Sequence, residues 1–75
     1  MDSDESMQLL ERIRSKYELF SPAQRVVGSY ILSSYKSLAY VTLAELARLT
    51  STGQGTVVRF AQALGYGSFS KLQAA

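Results

Sequence analysis

At two places in the chain a hydroxyl residue is followed three positions later by Gln or Glu, just ahead of an apolar-periodic run. These are Ser21-Pro22-Ala23-Gln24 and Thr42-Leu43-Ala44-Glu45. Each is a capping box, in which the hydroxyl accepts from the backbone of the third helical residue and the Gln or Glu reaches back to the cap N–H. Pro22 at the first helical position strengthens the first signal, because its missing N–H has no helical partner there in any case. Helix starts this closely spaced leave room only for short helices.

The remaining segments also read as helix. SMQLLERIRSKYELF places Leu9, Leu10, Ile13 and Tyr17 on one stripe, with Asp2 or Ser3 available as its cap. In the second helix Ala23, Val26, Val27, Tyr30 and Ser34 line the expected core face. Gly28, Leu32 and Tyr35 fall on its other side, covered either by another helix of the domain or by a second subunit. KSLAYV reads as a single helical turn. Leu43, Leu46 and Ala47 point inward from the helix opened by Thr42. Val57, Phe60, Ala61 and Leu64 share an arc of about 100° on the next helix. Gly65 is the expected left-handed cap of that helix, with Tyr66 folding back on its last turn. Ser68 caps a final helix, FSKLQAA, with Phe69 and Leu72 inward. The expected fold is all-α, a compact bundle of about five short helices in one domain over residues 1–75.

Composition removes several kinds of chemistry. The 75 residues include no cysteine and no histidine. Disulfides, Cys/His zinc sites and Cys–His or Ser–His catalysis are therefore excluded within the chain. The acidic residues are isolated, with no paired base, metal cluster or phosphate loop, so the chain reads as a binding module rather than an enzyme, with no cofactor. No run of about 18 apolar residues is present to span a membrane. The N-terminal MDSDESMQLL lacks the basic-then-apolar order of a signal peptide. A soluble, cytoplasmic protein is expected.

Charge is asymmetric. Residues 1–20 balance at −2 and residues 21–75 at +4, giving the net +2. That pattern fits one face for an anionic ligand, and it also fits ordinary surface scatter.

LAELARL and QGTVVRFAQAL, joined through Thr50 to Gly53, form a helix-turn-helix pattern. Packing through Val57 and Phe60 leaves Gly55, Val58, Arg59 and Gln62 facing outward. Arg59 suits guanine O6 and N7, Gln54 suits adenine N6 and N7, and Val58 suits a thymine methyl. Thr52, Gly53, Thr56, Ser68, Ser70 and Lys71 are candidate phosphate or register contacts. The start of this helix has three readings. Gly53 caps it, with Gly55 kept for close approach to DNA; or Gly53 and Gly55 form a flexible turn before Thr56; or Ser51 and Gln54 make a third S-x-x-Q start.

These residues resemble a known family. SPAQRVV (residues 21–27), Ala-Glu-Leu-Ala (44–47), TVVRF (56–60) and LGYGSF (64–69) are similar to the N-terminal DNA-binding domain of the RpiR family of bacterial transcriptional regulators, and the likeness runs from Leu9 to Leu72. The resemblance implies a sequence-specific regulator of sugar or phosphosugar genes, binding a double-stranded operator as a dimer or higher oligomer. It also implies a nucleoid-associated state when DNA is bound. A separate sugar-isomerase-like domain, absent from this chain, would sense a phosphosugar effector. Family members usually carry a turn glycine, a small apolar residue, a capping serine and often an alanine where this chain has Ser51, Thr52, Gly53 and Gly55. The turn thus lacks its left-handed glycine, and threonine replaces a buried apolar residue. The alternative function is a helical interaction or dimerisation module using Gly28, Leu32 and Tyr35.

Overall fold

A computed structural model describes residues 2–74, with side chains from residue 7 onward. Five α-helices follow one another: α1 (Asp2–Lys16), α2 (Pro22–Ser34), α3 (Leu43–Leu49), α4 (Gln54–Ala63) and α5 (Phe69–Ala74). Short 3-10 segments at Tyr17–Leu19 and Tyr35–Tyr40 lie between the first three, and the described residues contain no strand. The all-α expectation holds.

Local capping decides where the helices begin. Both halves of the Ser21–Gln24 box form, at 3.2 and 3.0 Å, and both halves of the Thr42–Glu45 box, at 3.0 and 3.3 Å. The Ser68 hydroxyl accepts from the Lys71 N–H at 3.2 Å and so opens α5. Ala75, expected to end that helix, lies outside the described residues. The cap expected at Asp2 or Ser3 rests on side chains that also lie outside them, and α1 is already helical at Asp2.

Two expectations need correction. The first run is not one helix through Phe20. Arg25 donates from Nε to the Tyr17 carbonyl at 3.1 Å and from Nη2 to the Glu18 carbonyl at 3.0 Å, with its guanidinium 5.7 Å from the Tyr17 ring centre. Those carbonyls are held by a side chain of α2, the α-helix stops at Lys16, and Phe20 turns into the core while Leu19 stays exposed.

The second correction concerns α2. Its buried face is Val27, Gly28 and Ile31, whereas Val26 is exposed and Ala23, Tyr30 and Ser34 are half-buried. Gly28 is the contact point that rotates the helix. A Cβ there would lie 3.2 Å from Ile13 Cγ2 and 3.3 Å from Phe60 Cε1, so the absent side chain lets α1 and α4 press onto the α2 backbone. Gly28 therefore belongs to the core of this fold. Leu32 and Tyr35 are half-buried and pack against the same core.

Phe60 is the largest fully buried side chain, its ring 5.0 Å from that of Phe20. Leu9 and Ile13 from α1, Leu46 from α3 and Leu72 from α5 belong to the same core, all essentially inaccessible. KSLAYV forms part of a 3-10 segment longer than the single turn expected, with Leu38 buried. Gln73 of α5 donates from Nε2 to the carbonyls of Leu38 and Val41, at 3.0 and 2.6 Å, tying the last helix to the entrance of α3.

Candidate nucleic-acid interface

Helices α3 and α4 pack directly on each other, and α4 also packs on α2. Four residues, Thr50 to Gly53, connect α3 to α4. The connection begins as a Schellman turn. The Thr52 N–H bonds the Ala47 carbonyl at 2.9 Å and the Ser51 N–H bonds the Arg48 carbonyl at 3.1 Å. The residue between must be left-handed, and Ser51 is, with φ of 56°. The end of α4 repeats the motif with the expected residue. Gly65 has φ of 96°, Tyr66 N–H bonds the Ala61 carbonyl at 3.0 Å, and Gly65 N–H bonds the Gln62 carbonyl at 3.0 Å. The turn thus keeps a left-handed geometry although serine stands at its centre.

Thr52 explains how a threonine fits where an apolar residue is usual. Buried Thr50 donates its single hydroxyl proton to the Leu46 carbonyl at 2.8 Å, and its oxygen lies 2.9 Å from the Thr52 hydroxyl. Thr52 then supplies the proton of that second bond. Thr52, expected at a phosphate, is half-buried, and its 2.9 Å approach to the Thr50 hydroxyl ties it to the turn. Thr50 belongs to no motif of its own in the sequence. A threonine in the last turn of a helix, able to bond the carbonyl four residues back, was the available clue.

The start of α4 is decided as well. Gly53 is the N-cap in an ordinary extended conformation, φ −87° and ψ 159°, and Gln54 and Gly55 open the helix. The Ser51 start is ruled out by its left-handed backbone, and the helix begins before Thr56. Unlike α2, α3 and α5, α4 has no side-chain cap, so at Gln54 and Gly55, ahead of the Thr56 N–H that bonds the Gly53 carbonyl at 3.1 Å, the positive end of the helix dipole has no side-chain acceptor.

On the far side of α4 from Val57, Phe60 and Ala61, the residues Gly55, Arg59 and Gln62 are exposed, and Gln54 is exposed at the first helical position. Val58 and Thr56 are half-buried at the margins. The Arg59 guanidinium folds back toward the N-terminal turn, where a Cβ on Gly55 would lie 3.2 Å from Nη1. On α5, Ser70 and Lys71 are exposed, Ser68 is half-buried and engaged as the cap, and the Lys71 side chain lies back over Gly67.

Two other arginines are engaged within the fold. Arg25 clamps the 3-10 turn, and Arg12 reaches from α1 to donate to the Leu64 carbonyl at 3.1 Å, with its guanidinium 5.1 Å from the Tyr66 ring centre. Arg12 thereby caps the C-terminus of α4. Arg48, in the last turn of α3, is exposed. Away from α4, Leu32 lines a groove of about 450 Å³ with Arg14, Tyr17, Glu18 and Ser29.

The model for the helix-turn-helix domain of the rpiR family matches residues 7–75. The chain belongs to the rpiR family of helix-turn-helix domains. Among its relatives is the HTH-type transcriptional regulator YfhH of Escherichia coli (strain K12), 32% identical over 88% of this chain and 23% of the relative. An HTH-type transcriptional regulator of Haemophilus influenzae is 28% identical over 87% of this chain and 23% of its own length. Bifunctional protein glk of Paraburkholderia xenovorans is 33% identical over 80% of this chain and 9% of its own. This rpiR-family chain therefore spans about a quarter, or less, of the length of the curated relatives it matches. No solved structure matches it. Among the described residues no helix is long and apolar enough to cross a membrane.

Proposed function

We propose that this domain reads double-stranded DNA in sequence-specific fashion, with α4 in the major groove. The observation that carries the reading is the division of α4. One face is fully buried, while Gln54 and Gly55 face water at a helix start that has no side-chain cap, with Arg59 and Gln62 exposed farther along the helix. Recognition helices contact base edges chiefly with their N-terminal residues. Arg59 pairs with guanine O6 and N7, Gln54 with adenine, and Val58 packs on a thymine methyl, with Gln62 beside them. The open N–H groups after Gly53 take a phosphate, assisted by Thr56, and Ser68, Ser70 and Lys71 hold the neighbouring backbone.

In this reading the domain binds and does not catalyse. The regulator of which it is the DNA-binding part acts in the cytoplasm, associates with the nucleoid when bound, and controls sugar or phosphosugar genes. It meets a two-fold operator as a dimer or higher oligomer. A sugar-isomerase-like domain elsewhere in the regulator senses the phosphosugar. The greater length of the relatives and the regulator names of two of them support this assignment.

The test is selection of binding sites from a random DNA pool, followed by anisotropy titrations of the wild type and Arg59→Ala at low and moderate salt. The chain is assayed alone and as a forced dimer. The expected result is a consensus site, a log–log salt slope near −0.9 per phosphate contacted, and loss of preference at one base position in the variant. Failure of both forms to enrich any sequence at low salt overturns the reading. It would favour an interaction module using the groove beside Leu32.

A further inference from the structure

We infer that Gly55 is a specificity-determining position that acts through Arg59, by leaving the guanidinium room to lie against the first turn of α4. The inference rests on the DNA-reading role proposed above and concerns how that role is set. Glycine weakens a helix, so its presence in α4 needs a reason. The backbone supplies none, because among the described residues Gly65 is the glycine with positive φ and Gly55 is ordinary helix. Core packing supplies none either, because Gly55 is exposed.

What a side chain at Gly55 would meet first is Arg59. A Cβ there would stand 3.2 Å from Nη1, 3.6 Å from Nη2 and 3.7 Å from Cζ, and the three nearest atoms all belong to that guanidinium. Residues four apart lie one above the other on a helix face, and a long side chain naturally leans toward the N-terminus. Glycine removes the one group that would hold the fork away from the helix. The fork then lies against Gly55, in the turn that enters the groove first. Gly53 provides the contrast within the same turn, since a Cβ there would meet nothing within 4 Å. A methyl group at 55 is light enough for the helix to keep its form, yet it displaces the fork. The displacement is a few tenths of an ångström, and it shifts the place from which the fork offers its two parallel hydrogen bonds to a base.

The experiment is a double-mutant cycle on base discrimination, using Gly55→Ala, Arg59→Ala and the double variant. Competition titrations compare the selected site with sites changed at each base in turn. Thermal melts of each variant report folding. Gly55→Ala is expected to melt at or above the wild-type temperature. It should also change discrimination at the Arg59 position by between about fivefold and a hundredfold, the range of a bidentate arginine contact. In the Arg59→Ala background the same substitution should leave discrimination unchanged. A uniform loss of affinity in both backgrounds overturns the inference and makes Gly55 a point of close backbone approach. Unchanged discrimination overturns it too. A readout without DNA separates this inference from the larger proposal. The free domain should show nuclear Overhauser contacts between the Arg59 side chain and the Gly55 α-protons. Their absence sinks the positioning role even where the domain reads DNA.

Discussion

The Thr52 hydroxyl lies 2.9 Å from that of Thr50, which in turn reaches the Leu46 carbonyl at 2.8 Å. This chain of hydrogen bonds closes the turn between α3 and α4 with the polar atoms of two threonines. Thr50→Val takes the acceptor away from a half-buried donor and is expected to cost about 1–2 kcal/mol. Thr52→Val leaves the Thr50 bond to Leu46 intact and should change stability by no more than about 0.5 kcal/mol. The double variant should lie closer to wild type than Thr50→Val does, because both partners become apolar together. Urea midpoints at constant slope check the order, and an additive double variant would contradict the pairing.

Ser51 and Gly65 occupy equivalent places in two Schellman turns, at φ of 56° and 96°. A non-glycine residue in the left-handed region costs roughly 1–2 kcal/mol, while glycine adds freedom to the unfolded chain worth about 0.4–1 kcal/mol. Ser51→Gly should therefore raise stability by about 0.5 kcal/mol, a rise in Tm of roughly 2–4 °C. Gly65→Ala should lower it by about 1–2 kcal/mol. Melting curves that moved both variants in the same direction would contradict this account of the turns.

Gly28 is pressed between Ile13 and Phe60, neither of which can yield without disturbing the core. Gly28→Ala gains helix propensity of about 1 kcal/mol, and overpacking costs about 1–3 kcal/mol, so a net loss of about 1 kcal/mol is expected. Phe60→Ala should cost about 3–5 kcal/mol. That is a large part of the roughly 4–11 kcal/mol available to 75 residues. Circular dichroism should show the Phe60 variant largely unfolded on mild warming, and the Gly28 variant folded but less stable.

The arginines should separate into two groups. Arg12→Ala and Arg25→Ala remove bonds to carbonyls at the end of α4 and in the 3-10 turn, and each is expected to cost about 1 kcal/mol. Neither should alter the salt slope of DNA binding. Arg59→Ala should stay within about 0.5 kcal/mol of wild-type stability while losing base preference. Lys71→Ala should flatten the salt slope by about 0.9 with sequence preference kept. A stability loss in Arg59→Ala as large as in Arg25→Ala would contradict the division.

What the sequence alone determined was local. Capping boxes involve residues three positions apart, so Ser21–Gln24 and Thr42–Glu45 announced their helices without reference to anything distant. The same holds for Gly65 at the end of α4 and for the stripe of Val57, Phe60, Ala61 and Leu64. The outward face of α4 followed from that stripe by helical geometry.

The tertiary structure decided whatever depends on which elements meet. Gly28 has no hydropathy to mark it as core, and it is buried because Ile13 and Phe60 arrive from other helices. Nothing local marks Arg12 and Arg25 as held, yet carbonyls distant in the chain or beyond a turn bond them in the fold. Ser51 adopts a glycine's conformation because bonds to Ala47 and Arg48 on either side fix the turn. Burial and hydrogen bonding outweigh single-residue preference wherever several contacts converge on one position.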